Sequence, residues 1–177
     1  GSRLSLGQRY HFVAGWLPWL ADGFNLLFNF AALGWSIAMI TSPTKIDPPL
    51  MMFSVLPLSL FVFKIVKLVH LYRSAVGANV RQTIAAAVAG LALAHTIGFA
   101  IVKGLLTRSE PFFRTPKNAN RQGLRRAFGA AREETLMLVA LMLAAFGVSQ
   151  MQTTASPDRT TWMVVLGIQA VPYACAL

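Results

Sequence analysis

Apolar residues fall in five runs along this chain, at 24–40, 50–63, 83–106, 135–148 and 162–177, with polar or charged stretches between them. The second run lengthens to about residue 69 if Lys64 and Lys67 keep their methylene stems in the apolar layer and extend their charged ends out of it. A helix needs roughly 20 mostly apolar residues to cross a bilayer. The runs therefore read as helices, several of them short for a span, with the third the longest. Ahead of the first run, residues 8–21 carry Tyr10, Trp16 and Trp19, and Pro18 interrupts the stretch. Such aromatic residues gather at the headgroup level. Residues 8–21 are thus predicted to form an interface helix leading into the first span.

Composition places these runs in a membrane. With 55% hydrophobic residues, 12% charged residues and a mean hydropathy of +0.56, a soluble domain of 177 residues would carry more apolar surface than it could cover. The net charge of +10 raises the question of a nucleic-acid partner, but the basic residues lie between apolar runs rather than on one face of a soluble domain. No nucleic acid is expected. The charge instead orients the chain. If the third run lies on the membrane and the other four cross, starting inside, all 16 Lys and Arg except Lys45 and Arg159 fall inside. If all five cross, the split becomes seven against nine, and the bias of Lys and Arg toward the cytoplasm is lost. The predicted fold is therefore all-α and integral to the membrane. It has about four transmembrane helices plus amphipathic interface helices, and the third run lies on the cytoplasmic side. Gly90, Gly98 and Gly104 lower the helical stability of that run, and His95, Thr96 and Lys103 put polar groups into it. The alternative is an ordinary span whose small residues pack tightly against a neighbour.

In the first span Asp22, Asn25, Asn29 and Ser36 fall within roughly 60° of one another at about 100° per residue. One face is polar. Either it lines a channel or cavity that hydrogen-bonds a hydrophilic passenger, or it bonds to other helices inside a bundle. His11, His70 and His95 are too scattered for a local metal pair, and no Cys/His zinc spacing occurs. The chain is expected to hold no metal site and no catalytic residue of its own. Glu133 and Glu134 read as helix-start charges, Asp47-Pro48-Pro49 with Pro43 as the turn of an external hairpin, and the lone Cys175 as packing. The polar start from Gly1 to Arg9 has no signal-peptide core, and the chain ends inside an apolar run, as expected of a piece of a longer protein.

Between the third and fourth runs, residues 107–132 form a basic loop with Arg108, Arg114, Lys117, Arg121, Arg125, Arg126 and Arg132. Within it lies Phe112-Phe113-Arg114-Thr115-Pro116-Lys117. Thr115 offers a hydroxyl, Pro116 stiffens the backbone, and Arg114 and Lys117 offer charge-assisted bonds to phosphate oxygens. Phe112 and Phe113 can anchor the loop against the membrane face or against a sugar ring. The same charges also suit a cytoplasmic loop touching anionic lipid.

At this hexapeptide the chain resembles the gating loop of the processive family 2 glycosyltransferases, the cellulose-synthase-like enzymes. The family pattern is Phe-x-Val-Thr-Pro-Lys-Gly; Phe112, Thr115, Pro116 and Lys117 match it, while Arg114 replaces the valine and Asn118 the glycine. The segments Gln8-Arg9-Tyr10-His11-Phe12-Val13-Ala14-Gly15-Trp16-Leu17-Pro18-Trp19 and His95-Thr96-Ile97-Gly98 are similar to the bacterial β-glucan synthase branch associated with β-1,3-glucan. The resemblance covers nearly the whole chain, and in the family only the membrane half. It implies a cytoplasmic catalytic domain upstream, with aspartates holding Mg or Mn and a Gln-x-x-Arg-Trp acceptor motif. His11 and Phe12 stand where Gln8-Arg9-Tyr10-His11-Phe12 would need Arg and Trp, so that motif is expected before Gly1. The implied substrate is a UDP-sugar, UDP-glucose for a glucan synthase. By position Thr115 and Lys117 inherit contact with its diphosphate, with Arg114, Phe112 and Phe113 beside them. The resemblance further implies a β-glucan passing through the membrane helices of a multi-pass protein of the bacterial inner membrane, with basic loops cytoplasmic and lipids around it. The expected organisation is an interface helix at 1–22, a transmembrane hairpin at 23–69, a cytoplasmic loop and interface helix at 70–106, the gating loop at 107–132 and a second hairpin at 133–177. Without the resemblance, the residues also suit a stand-alone membrane scaffold or small transporter whose basic loop binds anionic lipid.

Overall fold

The computed structural model describes residues 4–107, 129, 131–151 and 156–177. Among the described residues six α-helices run in chain order: α1 (Leu6–Thr41), α2 (Met51–His70), α3 (Val80–Ala92), α4 (Ala94–Leu106), α5 (Arg132–Ser149) and α6 (Pro157–Cys175), with a π-helical turn Leu71–Ala75 continuing α2. No strand occurs among the described residues.

Local chemistry sets several of the boundaries. At the start of α1, Ser5 Oγ accepts the Gln8 backbone N–H at 3.3 Å and the Gln8 side chain accepts the Ser5 N–H at 2.9 Å, a reciprocal cap. Asn79 and Gln82 repeat the device at α3. Ser156 caps α6, with Pro157 in its first turn, where a missing N–H does no harm.

α1 corrects one expectation. The interface helix and the first span form a single 36-residue helix that runs straight on through Pro18. A proline removes one backbone bond, whereas breaking the helix in apolar surroundings would strand several. At about 1.5 Å per residue the helix is about 54 Å long, well beyond the roughly 30 Å of a hydrocarbon layer. Its first half leaves Tyr10, Phe12, Trp16 and Trp19 exposed, and continuous burial starts at Ala21. The chain then reverses in residues 42–50. Its tight turn falls at 43–45 rather than at Asp47, and the Trp35 indole N–H donates to the Asp47 carbonyl at 3.1 Å, tying the connection back onto α1.

α1, α5 and α6 share the apolar core, with Ala32, Met39, Leu141, Val148, Val165 and Leu166 among its members. Buried with them are Asp22, Asn29, Ser36, His95, Glu134 and Gln169, while Phe24, Leu27, Phe30, Phe53, Leu56 and Val62 are each more than half exposed. Polar groups inside and large apolar groups outside are the distribution a lipid environment selects and water penalises. By length and composition two helices can cross a membrane, α1 and α2 continued to Ala75; α3 and α4, bent by 41° at their break, make a third if the pair is one span. The structure thus gives two or three such helices where four were expected. α5 and α6, with 18 and 19 residues, begin on Arg132, Glu133 and Glu134 and on Asp158 and Arg159, which shorten their apolar parts.

The third apolar run is not a weak helix lying free. α4 packs on α1 through two glycines. A Cβ on Gly98 would stand 2.7 Å from the Asp22 carbonyl oxygen, and one on Gly23 would stand 2.9 Å from the Ile101 side chain. In α4, then, Gly98 brings two backbones close together. At the far end of the bundle, Gly147 of α5 meets Ile40 of α1, and Arg159 at the start of α6 bonds the Met151 carbonyl just after α5. Lys45 and Arg159 therefore lie at the same end, opposite Lys64 and Arg132.

Candidate functional site

Positions 22, 29 and 36 of α1 are two helical turns apart, so they share a face, and the structure turns that face inward. Each side chain meets a different helix or level of the bundle. Asp22 Oδ1 pairs with Lys64 Nζ of α2 at 2.6 Å. The Asn29 amide donates to Tyr173 Oη of α6 at 2.8 Å. The Trp162 indole N–H of α6 donates to Ser36 Oγ at 3.0 Å. Each of these three bonds therefore joins α1 to another helix. Asn25 is half-buried and borders two small cavities of ≈ 20 Å³ and ≈ 10 Å³ that share Asp22, Asn25, Ala94 and Pro172. Each has room for about one water and none for a sugar.

A second polar group lies where α4 and α5 come near each other. Thr96 Oγ1 donates to Glu134 Oε1 at 3.3 Å, His95 Nε2 lies 3.4 Å from Glu133 Oε2, and the rings of His95 and Tyr173 are 5.6 Å apart. Glu133 and Glu134 do sit in the first turn of α5, as their sequence position predicts. Glu134, however, is also buried against α4. One helical step of about 100° sends its neighbour Glu133 outward. Further in, both amide atoms of the fully buried Gln169 and the Asn29 Oδ1 have no hydrogen-bond partner among the described residues.

A groove of ≈ 730 Å³ lies at the Lys45 end, between α1, the 42–50 connection and α2. Phe28, Trp35, Phe53 and Trp162 supply aromatic faces, and Lys45 and Asp47 supply charge. Its size falls in the roughly 300–1,000 Å³ range of small-molecule sites.

Phe112, Phe113, Arg114, Thr115 and Lys117 lie outside the described residues. What is fixed is that α4 ends at Leu106 and α5 begins at Arg132. Among the described residues no group of three or more His, Cys, Asp or Glu side chains could hold a metal ion. Sequence reasoning missed Lys64 as a partner, having assigned it to topology, and missed Tyr173 and Gln169 inside the last apolar run. A polar residue within such a run is a signal that could have found the latter two. No family model matches the chain, and no curated protein or solved structure matches it either.

Proposed function

We propose that this chain is the membrane-channel and gating-loop portion of a processive glycosyltransferase that polymerises a UDP-sugar, UDP-glucose by resemblance, into a β-glucan and moves it across the membrane. The observation that carries the reading is the hexapeptide from Phe112 to Lys117, placed between two helices of an apolar bundle. The aromatic groove at the opposite end supports it, because the C–H faces of sugars stack on aromatic rings while their hydroxyls need polar neighbours such as Asp47 and Lys45. In this reading α1, α2, α5 and α6 cross a bacterial inner membrane and the α3–α4 pair stays on the cytoplasmic side. Lys45 and Arg159 lie outside. Transfer chemistry, with its Mg or Mn, belongs to a catalytic domain upstream.

Two measurements test this. For topology, Thr44→Cys and Arg121→Cys, placed singly in a Cys175→Ser background, are expected to label from opposite faces of intact cells; labelling of both from outside would refute the four-span arrangement. For function, Lys117→Ala in the full-length enzyme is expected to slow synthesis about ten- to hundred-fold, since a hydrogen bond to a charged group contributes roughly 1.5–3 kcal/mol. Thr115→Ala should lose less, since a neutral hydroxyl contributes less than a charge. If Lys117→Ala and Arg121→Ala show equal, small losses that track anionic lipid content, the gating assignment fails and a lipid-binding scaffold or transporter takes its place.

A further inference from the structure

α4 and α5 both pack on α1, which sets their general placement, and scarcely on each other, so their direct connection rests on the few side chains that reach across between them. What reaches across is one dipeptide from each helix, His95-Thr96 on α4 and Glu133-Glu134 on α5. We propose that these four side chains are a positioning clamp, fixing the end of α4 at Leu106 relative to the start of α5 at Arg132 and hence the two points where segment 107–131 joins the bundle. Two bonds made by adjacent residues, about 100° apart around each helix, resist rotation as well as sliding. A single bond would not. The two halves differ in strength. Glu134 is buried, its Oε1 takes the Thr96 hydroxyl and its Oε2 has no partner, so loss of Thr96 strands a carboxylate. Glu133 has a side chain 70% exposed, and ion pairs of that kind contribute little. His95 is itself backed by the Tyr173 ring.

The test uses the whole chain in lipid nanodiscs, Cys175→Ser, with spin labels on two exposed positions, Leu106→Cys and Leu136→Cys. The parent is expected to give one narrow distance. Thr96→Val, which keeps the shape and loses the hydroxyl, should lower the ratio of docked to undocked populations about ten-fold; Thr96→Ser should restore it, and Glu133→Gln should change it least. Thr96→Val combined with Glu134→Leu should lose less than the two single changes added together, because both remove the same bond. A parent-like distance in Thr96→Val, or equal effects of Val and Ser, would overturn the clamp. So would an equal disturbance of a second label pair at the other end, Ile37→Cys with Phe146→Cys, since the bond would then hold up the whole bundle. Only the consequence for synthesis rests on the proposed function. If Thr96→Val shifts the distance but leaves the synthesis rate of the full-length enzyme unchanged, the clamp stands and the loop's assigned role fails.

Discussion

Replacing Lys64 with methionine is expected to destabilise the bundle by about 3 kcal/mol, because it leaves the Asp22 carboxylate buried without its cation. Breaking such a pair typically costs roughly 3–5 kcal/mol. The lower end applies here because the Lys64 side chain keeps 20% of its exposure and Asp22 keeps 9%. The loss should fall hardest on α2. Of α2 only Ser54 and Pro57 are buried, so few contacts hold that helix in the bundle, the Asp22–Lys64 pair among them. Because Leu50 and Phe53 wall the aromatic groove, a loosened α2 would also open that groove. Removing both charges, with Asp22→Asn and Lys64→Met together, should recover most of the loss, since no unpaired ion remains. Denaturant titration in detergent, followed by tryptophan fluorescence, measures all three variants. A Lys64→Met protein within about 0.5 kcal/mol of the parent would show that the pair holds nothing in place.

Gly98→Val is expected to be of similar size, about 2–4 kcal/mol. The obstacle is backbone. The added Cβ would stand 2.7 Å from the Asp22 carbonyl oxygen and 3.1 Å from Leu26 Cβ, and an atom of the α1 main chain cannot swing aside as a side-chain tip can. α4 must then move away from α1 as a unit. Gly104→Val on the same helix is the control, because nothing lies within 4 Å of a Cβ placed there. Equal stabilities for the two variants would mean that helix propensity, and not contact, governs these glycines. The clash falls on Asp22, so Gly98→Val and Lys64→Met should not add when combined; both disturb the same turn of α1.

The sequence by itself determined the features that depend on neighbours in the chain. Apolar runs fix helices, Ser5 with Gln8 and Asn79 with Gln82 cap them, the composition makes two or three of them apolar enough to cross a membrane, and the spacing of Asp22, Asn29 and Ser36 fixes a polar face. These follow from backbone hydrogen bonding and helical period, which are local. All four residues that could line a channel were thus found as a stripe, but the partners that three of them meet were not. Lys64 lies 42 residues from Asp22, Tyr173 lies 144 from Asn29, and Trp162 lies 126 from Ser36. Only packing brought these partners to the stripe, because a polar stripe has the same period whatever it faces. Packing likewise turned Gly98 from a weak point into a contact, and sank Glu134 while leaving Glu133 outside. It also assembled the groove from Phe28, Trp35, Phe53 and Trp162, four residues that no spacing along the chain connects. Which helix face meets which depends on contacts between segments distant in sequence, so it was decided by the tertiary structure.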